Sequence, residues 1–584
     1  MKQESRIKDQ GSGEVGAVIL RDPCEFYCPQ DAEGFPVCHS ERPEGPASRH
    51  SEESASPVRS VSPKGNAPPQ GADEVAARQR TAFRGAPMCV AADLPAPALA
   101  AIARLQAAGF PAYLVGGCVR DSLLGRTPGD WDITTAALPE QVEAVFAGAR
   151  IIETGLKHGT VTVLLDGLPL EITTFRTESG YADHRHPDAV AFTPSLTEDL
   201  ARRDFTINAM AWAPLIRHGS AVTPSPEGED LDGGLTDPFG GQTDLHAKIV
   251  RCVGDPMQRF DEDALRILRA LRFAAQLDFT IDPATAAAAH ALRDTLALVS
   301  RERIAVELTK LLCGPAARRI LVEYWEILAV PLPELAPMAG LDQRSKYHCY
   351  DVLEHSAAAA EALPPEPILR WSALLHDVGK PACFTVDEAG RGHFHGHAKA
   401  GAPMAREILI RLRFDKDTVN RVTRLVELHD YPIDPPVEVQ DQGSGKAEDG
   451  SRETRILRCA QNDGAEADSL RCAEERAVRK LIGKLGEADF FRLLELKRAD
   501  SLAHHPDYRG RVAACDRLAA LARELLDQAP CFTVRDLAIN GNDLLALGVP
   551  KGPEIGKILD ALLEAVLAGR FPNEREKLLA EAMR

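Results

Sequence analysis

Residues 114–135, LVGGCVRDSLLGRTPGDWDITT, constrain this chain more than any other stretch. Ala112 to Val115 reads as a short apolar strand, and Gly116-Gly117 lets the backbone approach a polyanion where any Cβ would block it. The next residues read as a helix. Its first amides, from Gly117 onward, point at phosphate oxygens, and Arg120 adds a side-chain donor. Asp130 and Asp132 flank Trp131; on a strand they project to one face, where Mg²⁺, a hard oxygen-seeking ion, can join them. A carboxylate pair holding two Mg²⁺ activates an attacking hydroxyl and stabilises leaving pyrophosphate. A bare DxD is more often a solvated acidic loop, but here the strand, turn, helix and acids arrive in order. A dinucleotide-binding fold is disfavoured, because the chain has no GxGxxG at this turn.

Two further stretches extend that chemistry. Residues 161–165 and 170–175 are apolar and β-branched, joined across Asp166-Gly167, a strong hairpin signal. Glu171 in the second strand is a candidate third carboxylate, with a solvent-facing strand acid as the alternative. Glu262, Asp263, Arg266, Arg269 and Arg272 lie on a strongly helical stretch, where i,i+3 spacing puts Asp263 and Arg266 on one face. Cytosine and adenine both present an exocyclic amino donor beside a ring-nitrogen acceptor, whereas guanine and uracil present a carbonyl beside N–H. An aspartate accepting from the amino group and an arginine donating to the ring nitrogen admit C and A and reject G and U. An ordinary surface ion pair is the plain alternative.

With these motifs in hand, the chain resembles the class II tRNA nucleotidyltransferases, the bacterial CCA-adding enzymes and poly(A) polymerases of the polymerase-β superfamily. The likeness runs from about residue 94 to the C-terminus through LVGGCVRD, GDWDITT, RRDFTINAMA (202–211), DPFGGQTDL (237–245), EDALRILRALRFAA (262–275) and SRERIAVELTKLL (300–312). The resemblance implies template-free addition of CMP and AMP to a tRNA 3′ end, with CTP, ATP and tRNA as partners and Mg²⁺ as cofactor. It also implies that one of the RRDFTINAMA arginines meets the triphosphate or base, and that Asp204 and Asn208 shape the nucleotide pocket. Arg203 is preferred for that role and Arg202 is left open. A poly(A) polymerase is the near alternative, but TGLKHGTVTV (154–163) stands where the bacterial polymerases carry an arginine-rich stretch. An A-adding specialist also fits, since ESGYADHRHPDAV (178–190) is similar to the flexible loop needed for terminal AMP.

A second site is read from WSALLHDVGK (371–380), an apolar helix ending in His376-Asp377, which resembles an HD-domain phosphohydrolase signature. The resemblance implies completion by an upstream histidine, with His355 preferred over His348, and by Asp500; His395, His397 and His429 are further candidates. Imidazole with carboxylate suits Mn²⁺, Ni²⁺, Fe²⁺ or Mg²⁺. An active phosphohydrolase and a domain kept for its helices both fit, and an HD hydrolase with a non-catalytic head is the distant alternative, opposed by intact Asp130 and Asp132.

The implied fold is α+β. A polymerase-β-like nucleotidyltransferase head (88–214) is followed by a helical neck with the base-reading helix (235–312), an HD body (313–514) and a helical, tRNA-binding tail (515–584). In the tail, LGVPKGPEIG (547–556) is a turn before a helix at 558–567, presenting amides and Lys551 to phosphate or simply joining two helices. Residues 1–87 are rich in Gly, Pro, Ser and charge, which reads as disorder. Residues 438–471 and 217–234 read as insertions, and DQGSG occurs at both 441–445 and 9–13. A net charge of -18 argues against indiscriminate nucleic-acid coating, so RNA contact needs a local basic track. The 13 cysteines lack paired spacing and read as reduced thiols, and Cys24, Cys28, Cys38 and His39 are an unconvincing zinc knot. No run is apolar enough to span a bilayer and the N-terminus lacks a secretory pattern, so a cytoplasmic enzyme is expected.

Overall fold

In a computed structural model of the chain, the head is a seven-stranded sheet of order β3-β4-β5-β2-β1-β8-β9. The strands are β1 Ala112–Val115, β2 Asp132–Thr135, β3 Arg150–Gly155, β4 Thr160–Leu165, β5 Leu168–Thr174, β8 Ala211–Trp212 and β9 Leu235–Thr236, while β6 Arg176–Ser179 and β7 Ala189–Phe192 form a separate ribbon. The structure describes residues 94–155, 159–180, 189–213, 234–432, 464–528, 531–567 and 569–583. Residues 1–87, 217–233, 438–463 and 181–188, which carry the expected extension, insertions and loop centre, lie outside them, as do Cys24, Cys28, Cys38 and His39.

Alternation decides which side of this sheet is buried. In β5 the side chains of Leu170 and Ile172 are buried and Glu171 is exposed; in β2 Ile133 is fully buried and Asp132 is half-buried. Helices Ala96–Ala107 and Pro139–Val145 cover the apolar face, packing Ile102, Leu105 and Phe146 with Ile133, Val161, Val163 and Ile172. Burying residues of this size stabilises the head by about 1.5–3 kcal/mol each. The opposite face is left free for Asp132 and Glu171. The β4–β5 hairpin turns at Asp166 (φ 48°) and Gly167 (φ 84°), the left-handed pair such a tight turn requires.

The head sheet extends past the expected boundary at 214, because β9 pairs antiparallel with β8 across the intervening insertion. The expected single helix over 262–272 is also two. Pro256–Glu262 ends at Asp263, which is extended (φ -141°, ψ 103°), and Leu265–Leu277 begins after Ala264. The second helix is buried along nearly its whole length and packs against Arg301–Leu312. The body is helical: Val352–Glu361, Pro367–Leu375, His397–Arg411, Lys416–Leu428 and Glu487–Ala503 surround one polar centre. Helix Gly464–Leu485 starts inside the stretch read as an insertion to 471, and Arg511–Asp527 crosses the boundary drawn at 514. In the tail the helix expected at 558 starts at Pro553, since proline at the first position needs no amide partner. Among the described residues no helix is long and apolar enough to cross a membrane.

Candidate functional site

The first site lies where β1 ends, β2 begins and β5 runs alongside. Gly116 has φ 79° and ψ -128°, a conformation open to glycine alone, and it turns the chain into helix Gly117–Leu123. A Cβ on Gly116 would stand 3.0 Å from Arg203 Nη1, and one on Gly117 would stand 3.9 Å from Asp130 Oδ1. The glycines therefore let the backbone, Arg203 and the acids share one small space. Asp130 precedes β2 rather than lying in it, and only Asp132 is a strand residue. Parallel pairing of β2 and β5 sets Asp132 directly beside Glu171.

The three carboxylates act on one another. Burial, then Asp130 and then Glu171 push the Asp132 carboxyl up to about 6, with only Arg203 opposing. Such a set is short of positive charge and composed wholly of oxygen donors, which fits Mg²⁺. Arg203 is the cation that acts on Asp132. Its Nη2 is 3.6 Å from buried Asp199, and its Nε is buried without a hydrogen-bond partner.

The remaining predicted nucleotide residues form a chain of contacts reaching the neck. Arg269 donates from Nε to Asp204 Oδ2 at 2.7 Å; Asp204 Oδ1 accepts from Asn208 Nδ2 at 3.1 Å; Asn208 Oδ1 accepts from Arg120 Nη1 at 2.6 Å. Arg120 ends the chain on both oxygens of Asp121, at 2.9 and 2.8 Å. Arg120, expected as a side-chain phosphate donor, is buried, and each of its three nitrogens already donates to Asn208 or Asp121. Arg269 likewise holds Asp204, whose carboxyl is depressed to about 2, with burial opposing and Arg269 prevailing. Arg202, left open, donates to Asp199 at 2.7 and 3.0 Å and to Glu178 at 3.1 Å, tying β6 to helix Leu196–Ala201.

Asp263 is the extended residue at the helix break, and the Arg266 amide one turn on donates to its carbonyl at 2.9 Å. Asp263 Oδ2 accepts from Arg303 Nη2 at 2.8 Å and Oδ1 accepts from the Leu265 amide at 3.1 Å. Arg266 donates to Glu262 Oε2 at 2.6 Å and to the Arg259 and Arg202 carbonyls. Arg303, in SRERIAVELTKLL, was not singled out from sequence.

The second site gathers residues far apart in the chain. His355 Nε2 is 2.9 Å from Asp500 Oδ1 and 3.5 Å from Asp377 Oδ2, and His376 Nε2 is 3.1 Å from Asp377 Oδ2 and 3.7 Å from Asp500 Oδ1. His355, His376 and Asp377 are all within 1% of complete burial. His376 Nε2 and Asp377 Oδ2 make no well-aligned hydrogen bond despite these distances, and together with the imidazole and carboxylate donor set this fits a divalent metal. Burial alone would lower His376, but Asp377 and Asp500 prevail and raise it to about 10.

His397 and His429 join the cluster, at 3.4 and 3.7 Å from Asp377 Oδ1. His395 does not; it stacks on His393. His348 packs on His355 and His504, and burial keeps its imidazole neutral by depressing it to about 2. Sequence reading missed His504 and Lys380, whose Nζ lies 2.7 Å from Asp377 Oδ2 and donates to Gln343 Oε1 at 2.7 Å. Lys380 is the last residue of the HDVGK run, which was the available signal.

Residues 112–251 match the family model described as Poly A polymerase head domain. Residues 278–338 match one for an RNA and SrmB binding site of polymerase A, 346–468 the HD domain, and 513–582 tRNA nucleotidyltransferase domain 2. The chain is 32% identical over 487 residues to the "CCA-adding enzyme" of Limosilactobacillus fermentum, covering 83% of this chain and 96% of that one. It is 33% identical over 483 residues to the "CCA-adding enzyme" of Levilactobacillus brevis, covering 82% and 94%. Among solved structures, the Bacillus stearothermophilus CCA-adding enzyme in complex with CTP aligns with TM-score 0.56 and 29% identity, over 84% of this chain and 98% of that one.

Proposed function

The chain belongs to the CCA-adding enzyme family and carries an HD domain, and from that premise we infer how its residues divide the work. It is a tRNA nucleotidyltransferase that adds C and A to the tRNA 3′ end, using CTP, ATP and a divalent metal. Neither poly(A) synthesis nor an inactive head is favoured. The observation that carries the head mechanism is the placement of Asp132 beside Glu171, with Asp130, Gly116 and Arg203 sharing the same small space.

The triphosphate rests on the first amides of helix Gly117–Leu123 and on Arg203, and Arg120, Asn208 and Asp204 hold that surface in shape. Asp130 and Asp132 would hold Mg²⁺, with Glu171 as a third carboxylate beside Asp132. Mg²⁺ supplies activation of the 3′-hydroxyl and charge neutralisation on pyrophosphate. The tRNA 3′-oxygen bonds to the α-phosphorus and the bond to pyrophosphate breaks. Asp263 accepts from the amino group of C or A and Arg266 donates to the ring nitrogen, exchanging their contacts with Arg303 and Glu262 for the base. Both pairs are largely buried, so the base must replace these contacts as they are given up. A cytoplasmic location suits such a substrate.

The HD cluster, in our reading, is a metal-dependent phosphohydrolase acting on phosphate groups at RNA 3′ ends, with Mn²⁺ or Ni²⁺ on His355, His376, Asp377 and Asp500. The convergence of these ligands from two separate helices and one helix end favours this over a purely structural domain. The test of the head assignment is labelled CMP incorporation into a tRNA transcript ending before the first C. It should require Mg²⁺ and vanish in Asp130→Asn; incorporation by that variant would refute the carboxylate assignment.

A further inference from the structure

One buried ring is where the motifs of the head and the neck meet. Phe273, 4% exposed, lies on helix Leu265–Leu277. The guanidinium carbons of Arg272, Arg120 and Arg269 lie 3.7, 4.9 and 5.4 Å from its ring centroid, all inside the roughly 6 Å at which a cation is drawn to an aromatic face. Phe205, from the RRDFTINAMA run, meets the same ring edge-on at 5.7 Å. Arg120 belongs to the helix that leaves the glycine turn, and its amide donates to the Gly116 carbonyl at 3.1 Å.

Three like charges gathered at one buried point repel. Burial lowers the Arg272 guanidinium, Glu307 opposes, and Arg269 lowers it further. Each arginine has its own polar partner: Arg272 pairs with Glu307, Arg269 with Asp204, and Arg120 with Asp121 and Asn208. Those partners hold the arginines one by one, whereas the ring is shared by all three. Its negative face attracts cations most strongly where water is excluded. A leucine would bury apolar area in the same place and offer no such face.

The ring also stands in line with the base reader. Arg266, Arg269 and Phe273 are spaced i, i+3 and i+7, which is one stripe of a helix, and seven residues carry the backbone about 10 Å. Arg269, Asp204, Asn208 and Arg120 already join the neck to the cradle helix by polar contacts. Phe273 closes that chain into a circuit, so that fixing the ring against Arg120 fixes how far Arg266 stands from the turn at Gly116.

We propose that Phe273 is a positioning residue for nucleotidyl transfer: its ring face ties the guanidiniums of head and neck together and so sets the spacing between the triphosphate cradle and the base-reading residues. It acts through Arg120 and Arg269 rather than on the substrate. The inference rests on the reading of Gly116, Gly117 and Arg203 as the cradle and of Asp263 and Arg266 as the base reader.

The test keeps the shape of the ring and weakens its attraction for cations. Phenylalanine carrying one, two or three ring fluorines is placed at position 273 of the full chain by stop-codon suppression, with unmodified phenylalanine placed by the same route as the reference. The ratio kcat/KM for CMP addition, and the preference for CTP over UTP, should both fall stepwise with each fluorine, by about tenfold or more at three. The melting temperature and helix content should change little. Full activity and selectivity in the trifluoro protein would overturn the proposal and leave Phe273 as core packing, as would a melting temperature that falls in step with activity. A fall in kcat/KM with the CTP preference unchanged would overturn the spacing role. Asp263→Ala, assayed alongside, separates the two readings: unchanged selectivity there would overturn the base reader itself, whereas lost selectivity there beside an indifferent fluorine series would overturn only the role of Phe273.

Discussion

Replacing Asp132 by Asn should destroy transfer and yet stabilise the metal-free protein. Burial, Asp130 and Glu171 hold the Asp132 carboxyl at about 6, against an unfolded value near 3.9. Each tenfold change in proton affinity is worth about 1.4 kcal/mol, so ionised Asp132 carries on the order of 3 kcal/mol of strain at neutral pH. Its partial exposure reduces the recoverable part to about 1–3 kcal/mol. The sign follows from linkage: a folded value above the unfolded one means no cost below about pH 4, where the group is protonated in both states. The cost grows between about pH 4 and 6 and is complete above. Asn carries no charge and escapes it. Calorimetric unfolding in EDTA at about pH 7.5 should therefore show the variant melting a few degrees higher, with the difference shrinking as pH falls toward 4.5. Added Mg²⁺ should raise the melting temperature of the original protein and not of the variant, closing the gap. A variant no more stable than the original in EDTA at neutral pH, or a gap independent of pH, would refute the electrostatic account.

Other consequences are equally concrete. Gly116→Ala places a Cβ at φ 79° and 3.0 Å from Arg203 Nη1; it should cost roughly 1–3 kcal/mol in stability and lower kcat/KM at least tenfold, measured by unfolding and CMP incorporation. Asp263→Ala should cost about 1–3 kcal/mol of discrimination, seen as UTP or GTP incorporation; unchanged selectivity would move base reading elsewhere. His376→Ala or Asp377→Ala should abolish Mn²⁺- or Ni²⁺-dependent hydrolysis of 2′,3′-cyclic or 2′-phosphate RNA ends while sparing nucleotide addition, and no hydrolysis by the original protein with any of these metals would leave the domain structural. Deleting residues 1–87 and 438–463, which lack the periodic apolar residues of a core, should leave addition nearly unchanged; the second cut stops at 463 because helix Gly464–Leu485 begins there. A loss of tRNA affinity beyond tenfold, roughly 1.4 kcal/mol, would make these segments part of the enzyme.

Local chemistry was legible where it was written in consecutive residues. The β1 strand, glycine turn and helix follow from apolar run and glycine placement, and the Asp166-Gly167 hairpin from its turn residues. Asp132 beside Glu171 needed more, because parallel register between β2 and β5 is set by packing rather than by either strand's sequence. Helical periodicity carried the reading through Asp263 and Ala264 although the backbone breaks there: apolar spacing continues across a break when both helices pack on one core. Arginine roles were the least legible. Arg120 reaches Asn208, Arg202 reaches Glu178 and Arg269 reaches Asp204, all distant in sequence, and sequence alone does not say which partner an arginine will meet. The HD candidates were named from a short motif and implied partners, and the helices bring them together; His504 was missed because its approach depends on how the helices converge, whereas Lys380 sits three residues after Asp377 in the same run.

The most direct test of the account is the length and sequence of the product formed on a tRNA transcript ending before the first C, supplied with all four nucleoside triphosphates and Mg²⁺. The account predicts a single product longer by cytidine, cytidine and adenosine, with nothing added to an unrelated RNA. A lengthening adenosine tail, or addition only to a transcript already ending in two cytidines, would contradict it.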